Sequence, residues 1–429
     1  MTHPTSPRRK LLQTTGTVAL LAAVKTGFPF GAHAQAAGPE TTKATLGFIA
    51  LTDAAPVVIA KEKGLFAKHG MPDVDVVKQA SWGALRDNLV LGGRASGIDG
   101  AHMLTPMPYL MTLGKVTQNG VPVPMSILAR LNLDAQAVSV AKEHLETGVT
   151  VQSGGLRAAL EAKRAAGQEV KAAMTFPGGT HDLWLRYWLA AGGIDPDHDI
   201  ATITVPPPQM VANMKVGTMD VFCVGEPWND QLVNQEIGFT ACNTGEIWGG
   251  HPEKSLAMRE DWIAANPIAA QRLTAAVLEA QIWCDDPANK EEMCAIVGRG
   301  AWFNVPVKDI LPRQQGHYDY GDGRVVESSP FAMKFWRDFA SYPFQSHELW
   351  FLTENMRWGK LDPTLDTKAL TARVNREDVW RTAAKSLGVP AEQIPAGTSR
   401  GVERFFDGVE FDPADPAAYL ASLTIKRVA

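Results

Sequence analysis

From residue 43 onward, apolar stretches of two kinds alternate along the chain. Short runs such as "ATLGFIA", "DVDVVKQ", "SGIDGAH", "PMSILARLN" and "AVSVAKE" read as strands. Between them lie "PVVIAKEKGLFAKHG", "WGALRDNLVLGG" and "PMPYLMTLG", which read as helices. A second series follows: helix 154–166, strand "AAMTFP", helix 181–191, strand "IATITV", helix 208–217, strand "DVFCVGEP", helix 228–236 and strand "FTACNTG". Such alternation predicts an α/β protein with mostly parallel sheets and with ligands at the carboxyl ends of the strands. "NLVLGGRASGIDGAH" and "NMKVGTMDVFCVGEP" echo one another, each a helix end, a glycine and an apolar–Asp strand start. The two series therefore predict two similar lobes, and a cleft between lobes is a favoured place for a ligand. From about residue 255 the pattern turns helical, with "NPIAAQRLTAAVLEAQIWCDD" a strong amphipathic helix. Roughly the last 100 residues are polar and punctuated by Pro and Gly, and they are expected to pack on the first lobe.

The ends and the composition narrow the class. Arg8 and Arg9 precede a short apolar run, and Ala32 and Ala34 supply small residues for cleavage. Residues 1–34 read as a twin-arginine export signal, with no cysteine nearby to carry a lipid anchor. The remainder is too long for one ordinary core, so two domains are expected. A net charge of -5 gives no basic footprint for nucleic acid. Cys223 and Cys242 lie in apolar strand runs and read as buried thiols, while Cys284 and Cys294 leave a disulfide open. No G-x-S-x-G elbow, P-loop, H-E-x-x-H or strand-linked G-x-G-x-x-G occurs, and His102, His181, His251 and His317 form no i,i+4 metal pair. A large exported α/β chain without such machinery reads as a binding protein, with no enzyme activity, cofactor or metal expected.

One stretch carries candidate chemistry. In "TFPGGTHDLWLRYW" (175–188), Gly178 and Gly179 permit a tight turn and Thr180 is a suitable N-cap for the following helix. A helix start of this kind suits a small anion, and it equally suits a well-made loop before a buried helix.

The stretches "LGFIALTDAAPVVIAKEKGLFAKHGM", "ASWGALRDNLVLG", "GIDGAHMLTPMPYLMT", "AMTFPGGTHDLWLRYWLAAGGIDP", "VPPPQMVANMKVGTMDVFCVGEPWNDQLV" and "HPEKSLAMREDWI" strongly resemble the nitrate-binding component of ABC-type nitrate importers. That family has bicarbonate-binding relatives. The resemblance implies a type II periplasmic-binding-protein fold, in which two α/β lobes joined by crossover strands close over a small anion. It places lobe one at 43–138, lobe two at 139–249, and the return to lobe one with a C-terminal extension at 250–429. Carried over to this chain, the ligand-binding residues are Trp82, Gln136, His181, Gly225 and Lys254. Each suits a planar monoanion. Lys254 brings charge, His181 a ring N–H or a full charge, Gln136 an amide donor, Gly225 room for a backbone N–H, and Trp82 an indole. The bicarbonate-binding relatives carry an acidic residue at the position of Lys254, where they look to use calcium. Lysine there removes an acceptor and repels a divalent cation, which favours nitrate, with nitrite second. The resemblance further implies a periplasmic monomer that hands its anion to ABC permease subunits in the inner membrane. A bicarbonate-binding protein and a nitrate or nitrite sensor of the same fold are the alternatives.

Overall fold

Ten strands in two separate sheets form the frame of the computed structural model, which describes residues 38–427. The segment read as an export signal lies outside the described residues. The strands are β1 (Lys43–Phe48), β2 (Asp73–Lys78), β3 (Gly100–Leu104), β4 (Met125–Arg130), β5 (Gln136–Ala141), β6 (Lys171–Met174), β7 (Ala201–Thr204), β8 (Val221–Gly225), β9 (Gly238–Asn243) and β10 (Lys254–Arg259). The first sheet has the order β2-β1-β3-β10-β4 and the second β7-β6-β8-β5-β9.

In each sheet one strand runs against the rest. β1 is parallel to β2 and β3, whereas β10 is antiparallel to β3 and β4. β6 is parallel to β7 and β8, whereas β5 is antiparallel to β8 and β9. The mostly parallel expectation therefore holds, apart from these two strands. β5 and β10 each enter from the other sheet, not through a helical crossover within their own, so the parallel βαβ rule does not act on them.

The two crossing segments run side by side. Leu133 forms a bridge with Pro252, and Asp134 Oδ1 accepts from the Gly250 N–H at 2.7 Å. Asp134 and Ala135 have φ of 60° and 61°, the left-handed region that costs a non-glycine residue about 1–2 kcal/mol. This turn delivers Gln136 as the first residue of β5.

Local differences from the sequence reading have simple causes. The helix expected from Pro56 is broken into Ala55–Glu62 and Leu65–Lys68. The helix expected over 208–217 is shortened to Met210–Lys215 because the prolines before it form a 3-10 turn, Pro207–Gln209. Cys223, Cys242, Cys284 and Cys294 are all buried free thiols.

The C-terminal region divides between the lobes, which corrects the expectation that it packs on lobe one. Helices Thr367–Val374 and Glu377–Ser386 do lie against β4 on the first sheet. Helix Gln345–Arg357 instead packs on helix Thr180–Ala191, and Trp350, Phe351, Phe405, Phe411 and Tyr419 fill the core of the second sheet. Their large apolar faces need a partner, and the second sheet's helices supply one: Trp350 stacks on Trp184 with ring centroids 4.8 Å apart.

Candidate functional site

The chain ends of several elements meet at one edge of both sheets. Trp82 starts helix Trp82–Leu91, which Ser81 caps by accepting from the Ala84 N–H at 3.1 Å. His181 lies in the first turn of helix Thr180–Ala191. Gly225 ends β8 and is the register partner of Gln136, which starts β5. Lys254 starts β10 opposite Leu104, the end of β3. Because β5 and β10 are reversed, their first residues lie at the carboxyl ends of the parallel strands, where α/β sheets hold ligands.

The structure brings all five expected residues together. Trp82, Gln136, His181 and Lys254 have 0% exposure. His181 Nε2 lies 3.0 Å from Gln136 Oε1, and Lys254 Nζ lies 3.3 Å from that oxygen and 3.5 Å from His181 Nε2. Lys254 Nζ is 6.0 Å from the Trp82 ring centroid. The buried Trp82 Nε1 has no hydrogen-bond partner among the described residues.

Two residues that the sequence reading missed, Asp53 and Glu253, complete the constellation. Asp53 Oδ2 lies 3.0 Å from Lys254 Nζ, and its Oδ1 accepts from His102 Nε2 at 2.6 Å. Glu253 Oε1 accepts from Lys254 Nζ at 2.8 Å and from the Thr180 hydroxyl, while its Oε2 accepts from Trp184 Nε1 at 2.8 Å. Asp53 follows β1 at its carboxyl end, a position the strand-end rule could have flagged. Glu253 sits in the crossing segment, outside the alternation of β10, and so carries no periodic signal.

Two expected roles are changed by this geometry, and the alternatives for His181 are narrowed to one. Thr180 is not the N-cap: Gly179 takes that position, and the Thr180 hydroxyl donates to Glu253 instead. Gln136 is not a free donor, because its Nε2 already donates to Asp53 Oδ2 at 3.2 Å and to the Ala135 carbonyl at 3.0 Å. Its oxygen therefore faces Lys254 and His181, and this oxygen can only accept, so His181 Nε2 carries a hydrogen. His181 is neutral: burial first, and Lys254 second, push its imidazole down to about 3.

The remaining charges support one another. Burial alone would raise the carboxyl of Asp53, but Lys254 and His102 hold it far below its ordinary value. Burial would likewise raise Glu253, and Lys254 and the neighbouring histidines outweigh it. Burial would lower Lys254, and the two carboxylates keep its ammonium above the usual lysine range. Two carboxylates against one ammonium leave the cluster with one net negative charge. A site made only of donors was expected. The acceptors that are present are occupied by His102, Gln136, Lys254, Thr180 and Trp184.

Gly225 is required by close approach. A Cβ there would lie 2.4 Å from Gln136 Oε1 and 3.3 Å from Asp53 Oδ2. Gly225→Ala is expected to displace the Gln136 amide and weaken anion binding by about 1–3 kcal/mol, roughly fivefold to 150-fold. Titration calorimetry of the variant checks this, and an unchanged affinity would remove Gly225 from the site.

Among the described residues one group has metal-ligand geometry, Glu143, His144 and Asp220. It lies at the other end of β8, and Lys163 Nζ already sits 2.9 Å from Glu143 Oε1 and 2.5 Å from Asp220 Oδ1.

The model of the NMT1-like family matches residues 37–298. The chain belongs to the NMT1-like family. Within this NMT1-like family its similarity is specific. It is 58% identical over 390 residues to the nitrate/nitrite binding protein NrtA of Synechococcus elongatus, covering 91% of this chain and 88% of that protein. It is 43% identical over 408 residues to the bicarbonate-binding protein CmpA of the same organism, covering 92% of this chain and 89% of that protein. The crystal structure of the periplasmic nitrate-binding protein NrtA from Synechocystis superposes with a TM-score of 0.88 at 57% identity, over 91% of this chain and 100% of that one. The two-lobed periplasmic-binding-protein fold follows from this match.

Proposed function

We propose that this chain is the extracytoplasmic solute-binding component of an ABC-type importer, and that it captures nitrate, with nitrite as a second ligand. The observation that supports this most is the donor set at the cleft. The Lys254 ammonium, the His181 Nε2–H and the unpartnered Trp82 Nε1–H converge in a fully buried place. The carboxylates beside them already accept from internal donors, Trp82 Nε1–H is without a partner, and an anion would take the place of Gln136 Oε1 as acceptor for the Lys254 and His181 hydrogens. Nitrate and nitrite only accept hydrogen bonds and carry one negative charge, which such a set complements. The higher identity to the nitrate/nitrite binding protein than to the bicarbonate-binding one supports the same choice.

Binding proceeds by hinge closure. The crossing segments at 131–135 and 244–253 are the pivot. In the closed form, Thr52 N donates to the Glu226 carbonyl at 2.8 Å and Trp228 Nε1 to the Ala50 carbonyl at 3.0 Å, linking the lobes beside the site. Opening breaks these links and admits the anion. The closed form is the one delivered, by a monomer in the periplasm, to the permease subunits. Residues 1–34 serve as its twin-arginine export signal. The lobes divide at these crossing segments: β1–β4 and β10 belong to lobe one, β5–β9 to lobe two, and the C-terminal region is shared between them, so the boundary falls before Gln136 and not after residue 138.

Bicarbonate is the second reading, because Asp53 and Glu253 place acceptors within 3.0 Å of Lys254 that a hydroxyl-bearing anion could use. Titration calorimetry of residues 35–429, stripped of anion by partial unfolding and refolding, separates the two. Saturable heat with nitrate, unaffected by calcium, is expected. Heat with bicarbonate alone would replace nitrate by the second reading, and heat with none of nitrate, nitrite and bicarbonate would overturn both.

A further inference from the structure

This inference rests on the nitrate reading and concerns what accompanies the anion. Asp53 and Glu253 carry two negative charges against the single charge of Lys254, and all three have 0% exposure. A monoanion closed into this place adds a second net negative charge to a region cut off from water, where such charge is costly.

Two imidazoles touch the cluster, and their hydrogen bonds assign their protons. His102 Nε2 faces the Asp53 carboxylate at 2.6 Å, and its Nδ1 faces the backbone N–H of Ile49 at 3.5 Å. A backbone N–H only donates, so His102 carries its hydrogen on Nε2 and is neutral. A second hydrogen on Nδ1 would set two donors against each other. His181 differs. Its Nε2–H is pinned by Gln136 Oε1 at 3.0 Å, but its Nδ1 lies 2.6 Å from the Thr175 hydroxyl. A hydroxyl rotates to donate or accept at no steric cost.

We infer that nitrate enters this site together with a proton, which settles on His181 Nδ1 while the Thr175 hydroxyl turns from donor to acceptor. The charged groups facing His181 are Lys254 at 3.5 Å, Glu253 at 3.4 Å and Asp53 behind Gln136, and the neutral, titratable His102 lies beyond Asp53. Before the anion arrives, burial and the adjacent ammonium keep the ring neutral. An anion that takes the place of Gln136 Oε1 against Nε2–H offsets the ammonium's repulsion and favours the imidazolium. The imidazolium then returns the cluster to one net negative charge and gives the anion a charge-assisted hydrogen bond. Linkage sets the sign: a complex that holds more protons than the free protein tightens as pH falls, by up to about tenfold per pH unit for one proton.

The test is titration of wild-type protein with potassium nitrate near pH 7 in imidazole and in Tris, whose ionisation heats differ. The expected slope of observed heat against ionisation heat corresponds to about one proton taken up per nitrate, with affinity rising from about pH 8 to 6. His181→Gln keeps an N–H donor and removes Nδ1, so its slope is expected to vanish and its affinity to become flat with pH. Thr175→Val keeps the imidazole and removes the acceptor for Nδ1–H, so its uptake is expected to fall. Nitrate heat with no buffer dependence in wild type overturns the proton step while leaving the nitrate reading intact. Undiminished uptake in His181→Gln overturns the assignment to His181. No nitrate heat in wild type removes the nitrate reading and this inference with it.

Discussion

Replacing Lys254 by methionine is expected to lower nitrate affinity by at least about 3 kcal/mol, roughly a hundredfold or more, and to destabilise the protein as well. Among the described residues the ammonium is the only positive side chain in contact with both Asp53 Oδ2, at 3.0 Å, and Glu253 Oε1, at 2.8 Å. Without it two fully buried carboxylates lose their counterion, a change that typically costs about 3–5 kcal/mol. The loss has a pH signature. In wild type the two carboxyl groups are held low, so their contribution to stability is present above the ordinary carboxylate range and is lost as pH falls through their folded values. In the variant burial is opposed only by the neighbouring histidines and raises both, so the variant takes up protons on mild acidification and its stability deficit narrows. Thermal unfolding of both proteins between about pH 7.5 and 5 measures this, alongside titration with nitrate. A variant that binds nitrate normally would remove Lys254 from the site, and a deficit independent of pH would contradict the ion-pair account.

Trp350→Ala is expected to cost about 3–5 kcal/mol of stability, because a fully buried tryptophan leaves a large cavity. The reach of this substitution extends to the cleft. Trp350 stacks on Trp184 at 4.8 Å, and the Trp184 indole N–H holds Glu253 Oε2 at 2.8 Å. Trp350 Nε1 also donates to the Tyr419 hydroxyl at 3.0 Å, which ties helix Pro416–Ser422 into the same core. Loosening this stack frees Glu253, so nitrate affinity is expected to drop by several-fold in protein that still folds. Calorimetric unfolding and nitrate titration of one preparation give both readings. An unchanged unfolding midpoint would show that the C-terminal helices contribute nothing to the core of lobe two, and unchanged affinity with lowered stability would uncouple them from the site.

The alternation of strand and helix patterns was enough to expect two α/β lobes, because periodicity is a local property that the chain carries whatever its tertiary contacts. The site residues were legible to different degrees. Trp82, Gln136, His181, Gly225 and Lys254 were reached through the resemblance, and all five converge in the structure. Asp53 and Glu253 were not reached, because an acidic residue beside a strand end has no signature apart from its neighbours in space. His102 stood out only as a possible metal ligand, and the structure gives it Asp53 instead. The donor role expected of Gln136 failed for the same reason. An amide's direction is set by what it meets, and Asp53 lies 83 residues away.

By itself, then, the sequence determined the α/β class, the doubled lobe and the group of residues able to meet an anion, since these follow from local pattern and from side-chain chemistry. The tertiary structure decided which groups hold charge, which way Gln136 and His181 present their atoms, and that the C-terminal aromatics of 350–419 serve the second lobe. Protonation depends on burial and on neighbours within a few ångströms, and packing partners depend on which apolar faces remain uncovered. Both are properties of contacts between segments far apart in the chain, and a one-dimensional pattern does not contain them.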